Sequence, residues 1–290
     1  MPRNTISVLY CLYLVYQKRV SSENQEREKH AFLHCTDARQ VIAHRGLPSS
    51  FPENTMAGFR AARQLHGVNA IELDVQLSRD GVPVVIHDET LERIGGGKIA
   101  VRDVDWNVLS GIDAGSWYDP SFSAERIPSL SQVLAEVTGV ALLVELKIYP
   151  ADSRTDRQQA LVHAVADALR EAGDLHRIVI LSFAPCLLRK WKDLFPQVPC
   201  MLNMDHSPRD SVAVWLEEIR EFPAIDFNIQ DLDPKMVCTL HEAGFRVFTY
   251  TCNEIQQIQK ACNYGVDGII SDYPARVIEF EEAETKKHGK

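Results

Sequence analysis

No stretch of this 290-residue sequence is long and apolar enough to read as a membrane span. The most apolar run, Ile6–Tyr16, has 11 residues, where about 20 are needed to cross a bilayer. A strongly polar segment, QKRVSSENQEREKH, follows it without a small-x-small cleavage pattern, so a secretory leader is not expected either. The run is expected to be a peripheral or disordered extension, or an over-long start of the reading frame; the alternative is a loose membrane anchor through residues 6–16. Cysteine is scarce and unpatterned. Seven cysteines lie between Cys11 and Cys262 with no CxxC pair, which excludes a zinc knuckle or a disulfide framework and points to reduced thiols in a cytosol. Nothing around Cys186, Cys200 or Cys238 resembles a nucleophile site, and small buried hydrophobes are the expected role for most. A basic excess is also missing. Forty acidic residues against 31 basic ones leave a net charge of -9. That balance disfavours nucleic acid or an anionic membrane as the main partner, but a small phosphate ester needs only a few cations at one place.

What is present is a regular alternation. From Val41 onward, short β-rich runs (41–44, 70–75, 82–87, 141–147, 177–183, 198–204, 224–229, 246–252 and 268–272) are separated by amphipathic stretches. Many of these stretches end in glycine, at Gly67, Gly173, Gly244 and Gly265, the residue that favours helix C-termini. Repeated strand–helix units predict a parallel sheet with helices outside. Nine strands are one too many for the commonest closed barrel, and ELDVQLSRDGVPVVIHD resolves the excess. Its centre, Arg79-Asp80-Gly81, is a turn signal between arms of similar length. It reads as a hairpin that rises from the second strand and returns His87 to the level of Asp74. Residues 89–127 have weak periodicity and read as a long excursion, a kind of loop that is commonly functional. The expected fold class is α/β, a (β/α)8 TIM barrel with a small insertion above the mouth. The expected organisation is a poorly ordered extension at 1–37, a catalytic barrel at 38–285 containing the insertion at 88–127, and a tail at 286–290.

In such a barrel, reactive groups gather at the C-terminal ends of the strands. His44-Arg45 closes the first strand, Glu72 and Asp74 lie in the second, His87-Asp88 ends the returning hairpin arm, and Glu145 and Lys147 end the third parallel strand. Glu72 and Asp74 are two residues apart and so share one face. Two inward carboxylates repel unless one stays protonated or a cation joins them. Glu145 adds a third acid from the neighbouring strand, and three oxygen donors suit a hard divalent cation, Mg²⁺ or Ca²⁺. The plainer alternative is that the acids pair with Arg45 and Lys147; for any one acid this is the commoner role, while three at adjacent strand ends favour the metal. The remaining eight histidines fall in tails, helices or loops, so His44 and His87 are the candidates for proton acceptor and donor. Arg45 and Lys147 are the candidates for holding phosphate oxygens. Pro52-Glu53-Asn54-Thr55 opens the first helix. Glu53 and Asn54 either belong only to that helix start or lean into the mouth and support the site.

These residues together resemble the glycerophosphodiester phosphodiesterase family, in its short bacterial cytosolic form. The matching motifs are HRG at 44–46, PENT at 52–55, ExD at 72–74, HD at 87–88, ELK at 145–147, SF at 182–183 and GVDGIISDYP at 265–274. They occur in order over 41–277. Singly each is common; seven in register are specific. The resemblance implies hydrolysis of glycerophosphodiesters to sn-glycerol 3-phosphate and an alcohol. It also implies His44 and His87 as the acid–base pair, Glu72, Asp74 and Glu145 as metal ligands, and Arg45 and Lys147 as phosphate-binding cations. The attacking group is either the glycerol 2-hydroxyl or a water. One departure is FTYTCN at 248–253, where many members carry Trp-Thr-Val-Asn: Tyr250 stands at the Trp position, which bears on the glycerol pocket's shape and not on the chemistry.

Two rival readings differ in class. A related barrel phospholipase would act on a lipid phosphodiester, but the aromatic residues of 89–127 are interleaved with acids. An inactive phosphate-ester-binding protein would keep the fold, but the intact His44, His87 and three acids speak against a retired site. A glycosidase built on paired carboxylates would leave the histidines and cations unexplained. The expected partner is a small glycerophosphodiester, with neither nucleic acid nor stable membrane insertion, in the cytoplasm; nothing in the sequence bears on oligomeric state.

Overall fold

A computed structural model describes residues 31–34, 38–152, 155–205 and 212–288; the run Ile6–Tyr16 lies outside the described residues. Each of the nine β-rich runs matches one strand to within about two residues at either end: β1 Gln40–Ala43, β2 Ala70–Leu77, β3 Pro83–Val85, β4 Ala141–Leu146, β5 Ile178–Ser182, β6 Cys200–Met204, β7 Ala224–Asn228, β8 Arg246–Tyr250 and β9 Gly268–Ser271. Eight of them pair in parallel in the order β1-β9-β8-β7-β6-β5-β4-β2, and β1 also pairs with β2, which closes the barrel. The exception is β3, which runs antiparallel to β2 with Val75 opposite Val85. The hydrogen bond from Ile86 N to Asp74 O (3.0 Å) brings the hairpin back to the expected level.

The principal helices on the outside are α1 Met56–Gln64, α2 Leu130–Glu136, α3 Thr155–Ala172, α4 Pro185–Leu194, α5 Val212–Ile219, α6 Pro234–Glu242, α7 Ile255–Tyr264 and α8 Pro274–His288. The glycine stop signals hold where a left-handed residue is needed: Gly265 caps α7 at φ 76°, and Gly173 follows α3 at φ 75°. Helix α8 continues through residue 286 to His288. Among the described residues no helix is long and apolar enough to cross a membrane.

Strand parity divides the chain into two apolar layers. Ile71, Leu73, Val75, Leu142, Val144 and Leu146 pack outward against the helices. Ile42, Ala70, Leu143, Leu181, Met201 and Phe248 fill the barrel. Because successive side chains alternate across a strand, Glu72 and Asp74 follow Ala70 inward, and Glu145 follows Leu143. The acids therefore face the barrel axis above its apolar floor. Phe32 and Leu33, from the segment expected as an extension, are buried in that floor, with Phe32 stacked on Phe248 at 5.9 Å. A Cβ on Gly268 would lie 2.3 Å from the Phe248 ring, so only glycine lets this aromatic fill the barrel.

Residues 89–127 form a folded unit. Val101, Leu109, Ala114 and Ile127 bury themselves against Val84 and Ile86 of the hairpin. Isolated antiparallel bridges join Thr90 to Ala100 and Asp113 to Arg126. Burying each large aliphatic side chain fully is worth about 1.5–3 kcal/mol, enough to give the excursion its own small core. Free thiols are found at Cys186, Cys200, Cys238, Cys252 and Cys262. Cys200 and Cys252 are buried as expected, whereas Cys186 and Cys238 lie on exposed helix faces.

Candidate active site

Three buried carboxylates, Glu72 (2% exposed), Asp74 (0%) and Glu145 (7%), converge inside the barrel mouth. One oxygen of each lies within 4.8 Å of the others. Adjacent register produces this directly: β2 and β4 are neighbours, with Asp74 opposite Glu145. The skipped strand between them is the returning hairpin arm, which leaves the barrel wall.

Two cations stand against the three acids. Lys147 Nζ lies 2.8 Å from Glu145 Oε1 and 3.2 Å from Asp74 Oδ1, and Arg45 Nε lies 3.1 Å from Asp74 Oδ2. The ion-pair alternative raised by the sequence is thus realised for Asp74 and Glu145. It fails for Glu72. Among the described residues that carboxylate receives only the backbone N–H of Arg45 (3.0 Å) on Oε2, and its Oε1 is buried without a hydrogen-bond donor. Burial opposes the Asp74 charge, but Lys147 and Arg45 overcome it and hold this carboxyl below its usual range. Burial, reinforced by the Asp74 and Glu145 charges, pushes Glu72 well above its ordinary value. Glu145 is also raised, by burial. Three buried carboxyl groups, two cations and an orphaned carboxylate oxygen fit a donor set for a hard divalent cation, whose ligands are oxygens.

The two imidazoles are held alike. His44 Nδ1 lies 2.6 Å from Asp272 Oδ1, and His87 Nδ1 lies 2.9 Å from Asp88 Oδ1. Asp272 is shifted down despite burial by its bond to His44, and Asp88 chiefly by its bond to His87. An ionised carboxylate can only accept, so each Nδ1 carries a proton and each Nε2 is left to exchange one. His44 Nε2 points at the acid cluster, 3.8 Å from Glu72 Oε2. Both rings act electrostatically on Asp74.

Backbone shape carries the first loop into the site. Arg45 (φ 53°) and Asn54 (φ 55°) are left-handed non-glycine residues, a conformation that costs about 1–3 kcal/mol and is kept only where contacts over-determine it. Gly46 makes the turn possible, because a Cβ there would lie 2.9 Å from the Gly58 backbone in α1. Both readings of PENT apply. Thr55 caps α1 by accepting from Gly58 N, while Asn54 Nδ2 donates to Asp74 Oδ2 (2.8 Å) and Glu53 Oε1 accepts from Arg45 Nη1 (3.1 Å).

Several residues of the site went unassigned in the sequence. Asp272 follows β9, which neighbours β1, and its place inside the GVDGIISDYP motif was the available signal. Asn253 donates to Asp272 Oδ2 at 2.6 Å. Gln76 Nε2 donates to the carbonyls of Ile86, His87 and Asp88, and the Tyr149 hydroxyl donates to the His87 carbonyl, so the hairpin arm is clamped from two sides. Asn203 and Asp226, on adjacent strands, are buried with an unpaired oxygen each. Burial, then Glu145, raises the Asp226 carboxyl well above its ordinary value.

Comparison with known proteins agrees with this geometry. The model of the glycerophosphoryl diester phosphodiesterase family matches residues 44–276. A glycerophosphodiester phosphodiesterase of Caldanaerobacter subterraneus is 33% identical over 240 residues, covering 82% of this chain and 96% of that protein. One from Bacillus altitudinis is 33% identical over 258 residues, covering 84% and 98%. Among solved structures, an Oleispira antarctica phosphodiesterase in complex with the product sn-glycerol-3-phosphate superimposes with a TM-score of 0.76 at 30% identity, over 83% of this chain and 96% of that one.

Proposed function

The chain belongs to the glycerophosphoryl diester phosphodiesterase family, and from that premise we propose that it hydrolyses glycerophosphodiesters to sn-glycerol 3-phosphate and an alcohol. The catalytic unit in this reading is the barrel at 38–285 with residues 88–127 inserted at its mouth. Glu72, Asp74 and Glu145 would hold one divalent cation, Mg²⁺ or Ca²⁺, which when bound would polarise the phosphoryl group and balance its charge. Arg45 and Lys147, already oriented by the same carboxylates, turn their remaining N–H donors to phosphate oxygens. Nε2 of one imidazole accepts the proton of the attacking hydroxyl: either a water's, which gives glycerol 3-phosphate directly, or glycerol's own 2-hydroxyl, which gives a cyclic phosphodiester that a water then opens. Nε2 of the other gives a proton to the departing alkoxide, and Asp272 and Asp88 hold the two rings in the tautomer this requires.

The observation that carries the reading is the pairing of two carboxylate-anchored imidazoles with a buried cluster of three acids that meets only two cations. A binding protein that only senses phosphate esters would need no imidazole held in one orientation by a carboxylate. The test is release of glycerol 3-phosphate from several glycerophosphoalcohols, with Mg²⁺, Ca²⁺ and chelator in parallel. Turnover lost in chelator, and lost in His44→Ala and His87→Ala while folding is retained, is the expected result. Activity in either variant above a few per cent of the parent removes that histidine from the acid–base pair. Preference for a lysophospholipid over glycerophosphocholine would favour the lipid phosphodiesterase instead, for which Trp117 and Tyr118, exposed on the insertion, are the relevant surface.

A further inference from the structure

Arg93 lies in the insertion, outside the residues assigned above, yet it touches both halves of the site. Its Nε donates to Asp88 Oδ2 at 2.6 Å, and the other oxygen of that carboxylate holds His87 Nδ1. Its Nη2 donates to Glu53 Oε1 at 2.8 Å, the same oxygen that holds Arg45 Nη1. The guanidinium plane rests on the Trp117 ring, 4.6 Å from its centroid, and that ring is fixed in turn by Nε1 donating to Ala114 O at 2.8 Å. Arg93, Trp117, Glu53 and His87 all line one cleft between the barrel rim and the insertion.

This geometry uses what arginine has and lysine lacks. A planar fork can reach two carboxylates in fixed directions while one face stacks on an aromatic ring. Without it, Asp88 and Glu53 would keep no shared partner, and the Asp88 carboxylate could rotate away from His87. We infer that Arg93 is a positioning residue that aligns His87 through Asp88 and Arg45 through Glu53, so that the insertion sets the geometry of the site it borders. The inference rests on the proposed roles of His87 and Arg45. In it, Arg93 touches neither substrate nor the reacting atoms.

The experiment separates a failure of this inference from a failure of the proposed function. In ¹⁵N-histidine spectra of the full chain, His87 should show a single Nδ1–H tautomer. Arg93→Ala should mix its tautomers whether or not the protein turns over a glycerophosphodiester. With glycerophosphocholine as substrate, Arg93→Ala should lower kcat about 10- to 100-fold, the usual cost of losing an orienting partner, and should raise KM. In an Asp88→Asn background the kcat loss should not recur, and in a Glu53→Gln background the KM rise should not recur. Arg93→Lys, which keeps the charge and tests the fork alone if the alanine variant folds poorly, should fall short of the parent in both constants. Arg79→Ala, which breaks the ion pair between the hairpin turn and Asp105 of the insertion, should change neither. An unaltered His87 spectrum in both Arg93 variants, or equal losses in every background, would overturn the inference. A parent without turnover whose Arg93→Ala variant still mixes the His87 tautomers would retain the positioning role and refute the proposed function.

Discussion

Replacing Asp272 by asparagine should silence His44 through one misplaced proton. Asp272 accepts twice, from His44 Nδ1 on Oδ1 and from Asn253 Nδ2 on Oδ2, both at 2.6 Å. The Asn253 amide cannot flip freely, because its Oδ1 accepts the Asp272 backbone N–H at 2.9 Å. In Asp272→Asn the new amide must therefore turn its carbonyl to Asn253 and its NH₂ to His44. An NH₂ can be received only by an unprotonated Nδ1, so the ring proton moves to Nε2, the atom that faces Glu72 and the cluster. A general acid or base is worth about 10²–10⁴ in rate, or roughly 2.7–5.5 kcal/mol at 1.36 kcal/mol per decade, and kcat should drop over that range. Asp272→Ala removes the orienting bond without imposing the wrong tautomer, and a smaller loss of about 10- to 100-fold is expected. The assay is steady-state release of glycerol 3-phosphate by both variants, with ¹⁵N-histidine spectra to identify the tautomer. If Asp272→Asn keeps more than about a tenth of the parent kcat, or is milder than Asp272→Ala, the tautomer argument is wrong.

Two further outcomes follow from the acid cluster and a third from the buried Asp226. Glu72→Gln removes the carboxylate that no cation side chain pairs, so calorimetric Mg²⁺ or Ca²⁺ titration should show affinity weakened by at least about 10-fold; an unchanged isotherm takes Glu72 off the ligand set. Lys147→Ala leaves Asp74 and Glu145 buried and short of a partner. It should cost about 3–5 kcal/mol in chelator by denaturant unfolding, with part regained in excess Mg²⁺ through binding to the native state; no metal-dependent recovery would count against the cluster as a cation site. Asp226 holds its proton to higher pH in the folded chain than in the unfolded one. Its contribution to stability is therefore complete below the ordinary carboxylate range and is lost as pH rises towards the raised native value. Asp226→Asn cannot ionise, so its melting temperature relative to the parent should climb as pH rises above the ordinary carboxylate range, about pH 4; a difference independent of pH would refute the burial argument.

How much of this was legible beforehand can be judged from particular residues. Strand positions were readable because β-rich runs alternate with helical periodicity, and the Arg79-Asp80-Gly81 turn identified the one strand that leaves the barrel. Glu72, Asp74 and Glu145 were readable as a set because parity along a strand and adjacency of β2 and β4 follow from topology alone. Asp272 and Asn253 were harder, since nearly 200 residues of chain separate Asp272 from Glu72 and only closure of β9 onto β1 joins them to His44. Arg93 carried no signal at all. It lies in an aperiodic stretch, and its meaning comes from three partners, Asp88, Glu53 and Trp117, that irregular loops bring together.

The sequence by itself determined the barrel, its hairpin and the identity of the acids, histidines and cations at the strand ends, because hydrophobic period and strand parity are local properties of the chain. Tertiary structure alone decided which acids meet a cation, which carboxylate orients each imidazole and which acids keep an unpaired oxygen. Those are matters of distances of a few ångströms between segments that only barrel closure makes neighbours, and a buried charge responds to the groups that surround it rather than to its place along the chain.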